Sequence, residues 1–209
     1  MKNLFVFFIL LMQLPAQAQA NSQSKILEAA VMQFNQTDKM PPYTQLYNQF
    51  EQLYTLDKTN WLIPYYAAMI KARMSLLKMG DRDALADAAL VWMSRAKLIM
   101  VNDEIYCAES LAYTAKMSVN PALRWLKYED KIKNPLRLAK KINPKNPRIY
   151  LLEANIQQNL PFIFGGGCKS TKPLIQQAER LLNTQNIAPS VEPSWGSQSL
   201  LELKKACPL

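Results

Sequence analysis

The chain has 209 residues, with 25 basic and 16 acidic side chains and no histidine. The absence of histidine excludes the usual hydrolase triads, most zinc sites and the commonest general base. The formal net charge of +9 would favour contact with anionic partners such as phosphorylated lipids, polyanionic glycans or acidic proteins. The basic residues are scattered, however, with a denser zone only at 127–145, and this distribution favours a solvated face as their explanation.

Residues 1–20 have the pattern of a secretory signal peptide. Lys2 is followed by the apolar run 4–12 and by an Ala-x-Ala cleavage pattern within 15–20. The run is shorter than the about 20 apolar residues of a membrane-spanning helix, so no transmembrane span is expected, although an uncleaved anchor is the alternative. We therefore expect a periplasmic or secreted protein in which residues 21–209 form one domain. Nucleic acid is not expected as a partner of such a chain.

Two short amphipathic helices are predicted at the start of the mature chain, at 24–35 and 43–54. Pro41 and Pro42 separate them, because consecutive prolines break a helix. These helices are expected to form the opening pair, or cap, of a larger helical stack.

The next two helices form a predicted hairpin that turns at Gly80. Asn60 is a candidate N-cap of the first helix, which carries Tyr65, and Gly80 is expected to end it. Asp81 opens the second helix, in which the apolar residues of 85–99 recur every three or four positions. This spacing places them on one buried stripe.

A second hairpin is predicted after this one. Asn102 caps a helix that carries Tyr106. A break at 118–121 then precedes the basic segment 123–142. This segment is predicted to form two short helices or one helix interrupted near Pro135, since proline lacks the N–H that a helix interior uses.

A third hairpin and a closing helix complete the predicted order. Pro147 follows Asn146 and fits the first turn of a helix that carries Tyr150. After the second helix of this hairpin, a proline-rich connector leads to Trp195 and Gly196. The last helix is expected to cover the exposed face of the stack.

The loop inside the third hairpin contains Gly165, Gly166 and Gly167, and superficially resembles a phosphate-binding loop. Such a loop needs glycine directly before its lysine and again five positions earlier, where Cys168 and Ile163 stand. No nucleotide or other cofactor is therefore predicted.

Two phenylalanines of the same loop, Phe162 and Phe164, are expected to pack into the groove between helices. The glycines are expected to reach positive φ and to turn the chain into a helix from Thr171.

The three hairpins share a repeat of about forty residues. A tyrosine recurs in each first helix, at spacings of 41 and 44 residues: Tyr65, Tyr106 and Tyr150. An alanine recurs in each second helix, at spacings of 43 and 39 residues: Ala96, Ala139 and Ala178. A two-helix unit cannot cover its own apolar stripe, so consecutive units are expected to stack. The sequence predicts an all-α fold of antiparallel helix-pair repeats, with three unrelated amphipathic hairpins as the alternative.

A set of turn and packing residues accompanies the repeat: Asn146, Pro147, Arg148, Tyr150, Gly165, Gly166, Gly167, Ala178, Trp195 and Gly196. Together they resemble a largely uncharacterised group of exported bacterial proteins related to tetratricopeptide repeats. The resemblance covers most of the mature chain, although the units here are longer than the usual 34 residues. It implies a short tetratricopeptide-like α-solenoid used for protein contact.

Three cysteines are present, an odd number for a compartment in which disulfides form. Cys107 falls in a helix core and is expected to be a buried thiol. Cys168 lies in a loop and Cys207 in the tail, so these two have the most freedom to meet. A Cys168–Cys207 disulfide and two unpaired thiols are the open alternatives.

No catalytic constellation or metal-ligand set rises above chance in the sequence, so we do not expect an enzyme. We predict a non-enzymatic exported scaffold that binds a protein or peptide in the cell envelope, with Tyr65, Tyr106 and Tyr150 on its binding face. The alternatives are an envelope protein whose basic surface binds an anionic glycan or lipid, and a hydrolase with unrecognised carboxylates.

Overall fold

The computed structural model describes residues 22–35, 42–185 and 190–208, and the regular elements of these residues are all helical. The predicted signal peptide lies outside them. None of the described helices combines the length and the apolar character that crossing a membrane requires. The α-helices are α1 (22–34), α2 (Tyr43–Leu56), α3 (Leu62–Leu76), α4 (Arg82–Ile99), α5 (Asp103–Met117), α6 (Pro121–Ile142), α7 (Pro147–Asn159), α8 (Cys168–Asn183) and α9 (Ser197–Ala206), with a 3₁₀ turn at Phe162–Phe164 between α7 and α8.

The helices form antiparallel pairs that stack in chain order, as the repeat predicted. Helices α3 and α4, α5 and α6, and α7 and α8 pack within pairs, while α3 contacts α5, α5 contacts α7, and α7 contacts α9. The first helices of the pairs therefore form a continuous inner layer. The second helices lie on the outside of the stack.

The repeat extends to the contacts between pairs. Lys97 of α4 forms an ion pair with Glu109 of α5 at 2.8 Å, and Lys140 of α6 forms one with Glu153 of α7 at 3.1 Å. Each lysine also lies near the ring of the repeat tyrosine, Tyr106 or Tyr150, at 5.3 and 4.7 Å from the ring centroid. The same three residue types thus join successive pairs.

Alanines allow the inner helices to approach closely. A buried cluster between α3, α4 and α5 consists almost entirely of alanine: Ala72, Ala86, Ala89, Ala112 and Ala115. A larger side chain at these crossings would hold the helix backbones apart. The aromatic part of the core lies at the other end of these helices, where Tyr65, Tyr66, Phe34 and Phe50 are buried.

Side-chain caps begin several helices where the sequence predicted them. The carboxylate of Asp81 accepts hydrogen bonds from the backbone N–H of Asp83 and Ala84, at 3.0 and 3.1 Å. Asn102 accepts one from Ile105 N at 2.8 Å. Each cap satisfies a backbone donor that the helix leaves unpaired and contributes about 1 kcal/mol.

Helix α6 is continuous from Pro121 to Ile142 although Pro135 lies inside it, so the prediction of an interruption is wrong. Pro135 and its neighbours Ile132 and Leu136 are buried, and Ser110 of α5 donates a hydrogen bond to Ile132 O at 2.9 Å. Packing of these residues on α5 keeps the segment helical because it outweighs the single backbone hydrogen bond that proline removes.

The glycine-rich loop is tighter and more exposed than expected. Gly165 and Gly167 have φ of +81° and +99°, and a Cβ on Gly166 would lie 1.9 Å from Leu160 O. The phenylalanines of the loop do not pack between helices: Phe162 is 84% exposed and Phe164 is 69% exposed. The chain enters α8 already at Cys168, three residues before Thr171, because Gly167 reverses it directly into the helix.

Candidate ligand-binding groove

A groove of about 1020 Å³ runs along the inner layer of helices. Helices α3, α5 and α7 contribute its floor, the start of α6 and the loop after α7 contribute one edge, and residues 194–199 contribute the opposite wall. Its apolar and aromatic lining includes Phe34, Tyr43, Leu76, Leu111, Met117, Trp125, Leu152, Ile156, Leu160, Phe164 and Trp195. The groove is therefore a largely apolar cleft along the inner layer of helices, and such a lining is typical of a binding site.

Arg73 supplies a positive charge in this apolar lining. Its guanidinium lies 4.1 Å from the ring centroid of Phe34 and 5.9 Å from that of Trp195. Among residues 22–35, 42–185 and 190–208, no carboxylate forms an ion pair with it. A guanidinium without an internal counter-ion is suited to bind a carboxylate or phosphate of a ligand.

Residues 190–196, which we call the C-terminal strap, have no regular secondary structure and lead into the groove wall, to which residues 194–196 belong. Three side chains from the core hold this segment. Tyr66 donates to Val191 O at 2.9 Å, Arg148 donates to Pro193 O, and Asn35 donates to Ser194 Oγ at 3.0 Å. These bonds satisfy strap groups that would otherwise need water.

Trp195 fixes the end of the strap. Its indole is 7% exposed and its Nε1 donates to the Tyr65 hydroxyl at 2.8 Å. Gly196 follows with φ of +135°, and a Cβ there would lie 2.7 Å from Leu151 Cδ1. Only glycine combines this backbone conformation with such a close approach to α7. The Trp195–Gly196 pair thus turns the chain from the groove wall into α9.

The strap rests on a buried polar cluster between α3, α5 and α7. Arg148 is 2% exposed, and the Glu104 side chain is 14% exposed. The distance from Arg148 Nη1 to Glu104 Oε1 is 3.3 Å. Asn146 donates to the same carboxylate at 2.7 Å, and Tyr65 donates to its other oxygen at 3.4 Å. Because Arg148 also holds Pro193, the ion pair links the core directly to the groove wall.

Burial raises the pKa of Glu104 to about 7, because loss of hydration outweighs the lowering by Arg148. The folded protein thus binds this proton more tightly than the unfolded chain, in which the carboxyl titrates near 4.5. This stabilisation is fully present below the pKa of Glu104 in the unfolded chain, and it is lost as the pH rises through the pKa of Glu104 in the folded protein.

We therefore expect the free energy of unfolding to fall by about 1–3 kcal/mol, relative to Glu104→Gln, as the pH rises from the unfolded to the folded pKa. Urea titrations of both proteins across this range measure the difference. An equal pH dependence in the two proteins would contradict the assignment.

The predicted binding tyrosines have structural roles. Tyr65 is fully buried beneath Trp195, so its assignment to a partner-binding face is corrected. Tyr106 and Tyr150 are half-buried beside the lysines that join successive pairs, and Tyr150 donates to Pro144 O at 2.8 Å. None of the three lines the groove. The large apolar tyrosine rings are used for packing between helices.

The groove-lining positions lie further along the same helices. Arg73 and Thr114 each follow a repeat tyrosine by eight residues, which is about two helical turns and therefore near the same face. The repeat alignment could have located them if it had been extended by two turns. Nothing in the sequence signals that Trp125 and Trp195, 70 residues apart, lie in one cleft.

Cys168 and Cys207 are joined by a disulfide, and Cys107 is a buried free thiol. The disulfide ties the first residue of α8 to the residue after α9. Leu200 and Leu203 of α9 pack with residues of α7 and α8 in one buried cluster. Helix α9 therefore closes the last face of the stack and also presents Glu202 to the groove.

One further depression in the surface has no chemistry comparable to that of the groove. An open depression of about 800 Å³ between α6, α7 and α8 is lined mainly by charged and polar side chains such as Lys131, Arg137 and Glu153. Within the described part of the chain, no group of three or more histidine, cysteine, aspartate or glutamate side chains could hold a metal ion.

Fold and groove together define an all-helical protein of stacked helix pairs with a binding cleft on its inner face. The structure is similar to that of the HusA haemophore from Porphyromonas gingivalis, with a TM-score of 0.78 and 26% sequence identity over 88% of this chain and 92% of that chain. No protein-family model matches the chain, and no curated protein matches it. The likeness supports a bacterial helical protein, while the tetratricopeptide resemblance stays a prediction.

Proposed function

We propose that this protein is an exported binding protein, without catalytic activity, whose groove holds a flat and largely apolar ligand of the porphyrin class, with haem as the first candidate. The observation that carries the proposal is the apolar cleft of about 1020 Å³, whose lining contains Arg73, a guanidinium that pairs with no carboxylate of the described residues. Similarity to a protein named as a haemophore supports the same ligand class.

The chemistry of the groove fits such a ligand. A porphyrin has two aromatic faces, which stack on aromatic side chains, and two carboxylates, which pair with a guanidinium. Trp125, Phe164 and Trp195 supply aromatic surface in the groove, and Arg73 supplies the cation. The apolar lining would exclude water from the macrocycle, and burial of its surface would provide most of the affinity.

Recognition of the macrocycle does not require a histidine ligand for iron. The chain contains no histidine, while Tyr43 and Met117 in the groove lining are of residue types that ligate haem iron in other proteins. We expect the apolar and aromatic lining to recognise the ring itself. Iron-free protoporphyrin IX is therefore expected to bind with an affinity within about tenfold of that of haemin, a difference of about 1.4 kcal/mol.

Titration of the protein with haemin and with protoporphyrin IX, followed by quenching of tryptophan fluorescence and by absorbance, tests the proposal. We expect Arg73→Gln to weaken binding by about tenfold to a hundredfold, because a charge-assisted hydrogen bond to a carboxylate is lost. Trp125→Ala is expected to weaken binding by about tenfold, because a stacking surface is removed.

Arg95→Gln is the matched control for the arginine variant. Arg95 also stacks on an aromatic ring, 4.2 Å from the centroid of Trp92, but it lies on α4 outside the groove. Wild-type affinity is expected for this variant. Saturable binding that Arg73→Gln and Trp125→Ala leave unchanged would contradict the groove as the site, and absence of binding to either porphyrin would contradict the ligand class.

A peptide in the same groove is the second candidate, because a concave face of stacked helix pairs is a common peptide-binding surface. The two candidates separate in one experiment. A peptide ligand would be selected from a peptide library by the wild-type protein and lost with Trp125→Ala, while neither porphyrin would quench the tryptophans.

A further inference from the structure

Two segments that border the groove carry exposed large apolar side chains. Phe162, Ile163 and Phe164 follow α7 and are 84%, 82% and 69% exposed, while Leu123 and Leu126 in the first two turns of α6 are 80% and 91% exposed. We call these five residues the apolar tip.

Both parts of the apolar tip belong to segments that border the groove. Pro161 and Phe164 line the groove together with Pro121 and Trp125 of α6. Five exposed large apolar side chains in two segments that border one groove are more than the single exposed apolar residues that are normal on a protein surface.

The backbone of the turn is internally hydrogen-bonded. Phe164 N and Gly166 N donate to Pro161 O at 2.9 and 3.2 Å, and Gly165 N donates to Phe162 O at 2.9 Å. Gly167 N donates to Gln157 O at 3.1 Å. Four of the six backbone N–H groups of residues 162–167 are thus paired within the loop, which lowers the cost of moving the turn into an apolar medium. Those of Phe162 and Ile163 have no backbone acceptor among the described residues.

Basic side chains follow both parts of the apolar tip along the chain. Helix α6 contains seven basic and two acidic residues, a net charge of +5. Lys127 and Lys131, one and two turns after the exposed leucines, form no ion pair with the described residues, and neither does Lys169, five residues after Phe164. Exposed apolar residues beside basic ones are typical of segments that bind the interface of an anionic membrane.

We propose that the apolar tip inserts into the surface of an anionic lipid membrane, with Lys127, Lys131 and Lys169 contacting the headgroups. Exposed apolar side chains in a short turn fit a deformable acyl layer, whereas a stable protein partner needs an extended complementary surface. The groove would then open toward the membrane. This proposal does not depend on a porphyrin ligand, since the residues changed in its test do not line the groove.

Co-sedimentation with vesicles tests the membrane contact. The protein used consists of residues 21–209, which include every described helix. It omits the apolar segment at the N-terminus, because that segment could itself bind lipid. Vesicles of phosphatidylcholine mixed with phosphatidylglycerol are compared with vesicles of phosphatidylcholine alone. We expect binding to the anionic vesicles, weakened at least about tenfold by Phe162→Ser with Ile163→Ser, because the inserted apolar surface is lost. Lys127→Gln with Lys131→Gln is also expected to weaken it about thirtyfold, since each lysine near an anionic surface adds about 1 kcal/mol.

Val91→Ser with Leu98→Ser is the matched control. These residues are 52% and 88% exposed on α4, away from the tip, so wild-type vesicle binding is expected. Unfolding by urea checks that both serine variants fold.

The proposal is overturned if the folded tip variant binds vesicles like the wild type, or if neither vesicle type is bound. A concentration-dependent dimer that the tip variant abolishes, in the absence of vesicle binding, would assign the tip to self-association instead. The vesicle assay contains no porphyrin. Absence of vesicle binding therefore leaves the proposed porphyrin ligand untouched, and absence of porphyrin binding leaves the proposed membrane contact untouched.

Discussion

Replacing Arg148 by methionine is expected to lower the free energy of unfolding by about 3–5 kcal/mol, the usual cost of removing one member of a buried ion pair. Methionine fills most of the volume of the arginine stem but carries no charge. Glu104 would then be buried without its counter-ion, and Pro193 O would lose its donor. The same change removes a core contact and a strap contact, so we also expect the groove wall to loosen.

Urea denaturation at a pH well above the folded pKa of Glu104, where this carboxyl is ionised, measures the loss through tryptophan fluorescence. The control is the double variant Arg148→Met with Glu104→Gln, which removes both charges and is expected to recover part of the stability. The loss is also expected to be smaller below the folded pKa of Glu104, where this carboxyl is neutral. Equal losses in the single and double variants at all pH values would show that the two charges do not interact.

Removing the disulfide, by Cys168→Ser with Cys207→Ser, is expected to cost about 4 kcal/mol of unfolding free energy. The two cysteines are 39 residues apart, and a cross-link that closes a loop of this length restricts the unfolded chain by about that amount. The effect should concentrate in α8 and α9, since the loop contains both helices.

Urea denaturation with and without a reducing agent checks this expectation. Reductant should destabilise the wild type and leave the double serine variant unchanged. Cys107→Ala is the control for the loss of a thiol, since Cys107 forms no disulfide. This variant retains the Cys168–Cys207 bridge, so reductant should destabilise it as it does the wild type. Hydrogen exchange should show faster opening of α9 in the serine variant than of α3. A wild type that reductant does not destabilise would contradict a stabilising role of the bridge.

Local sequence signals located most of the helices because they act within a few residues. The cap residues Asp81 and Asn102, and the turn formed by Asn146 and Pro147, begin helices where they were expected. Each satisfies or removes backbone donors that any helix start leaves unpaired, so its effect does not depend on the rest of the fold.

Predictions that depended on packing between residues distant in the chain were less accurate than those based on local signals. Pro135 was expected to interrupt its helix, but burial of its neighbours on α5 keeps α6 continuous. Phe162 and Phe164 were expected to pack between helices and are instead exposed, although Phe164 borders the groove. Tyr65 was expected on a binding face and lies under Trp195, 130 residues later in the chain.

The sequence by itself determined an all-helical stack of antiparallel pairs, because apolar periodicity, caps and a repeat of about forty residues are written in neighbouring positions. Only the tertiary structure decided where the groove lies. Its floor comes from three helices and its wall from a strap that the Glu104–Arg148 pair holds in place. Such a site depends on side chains that are distant in the chain and meet only after the helices have packed, so no local pattern encodes it.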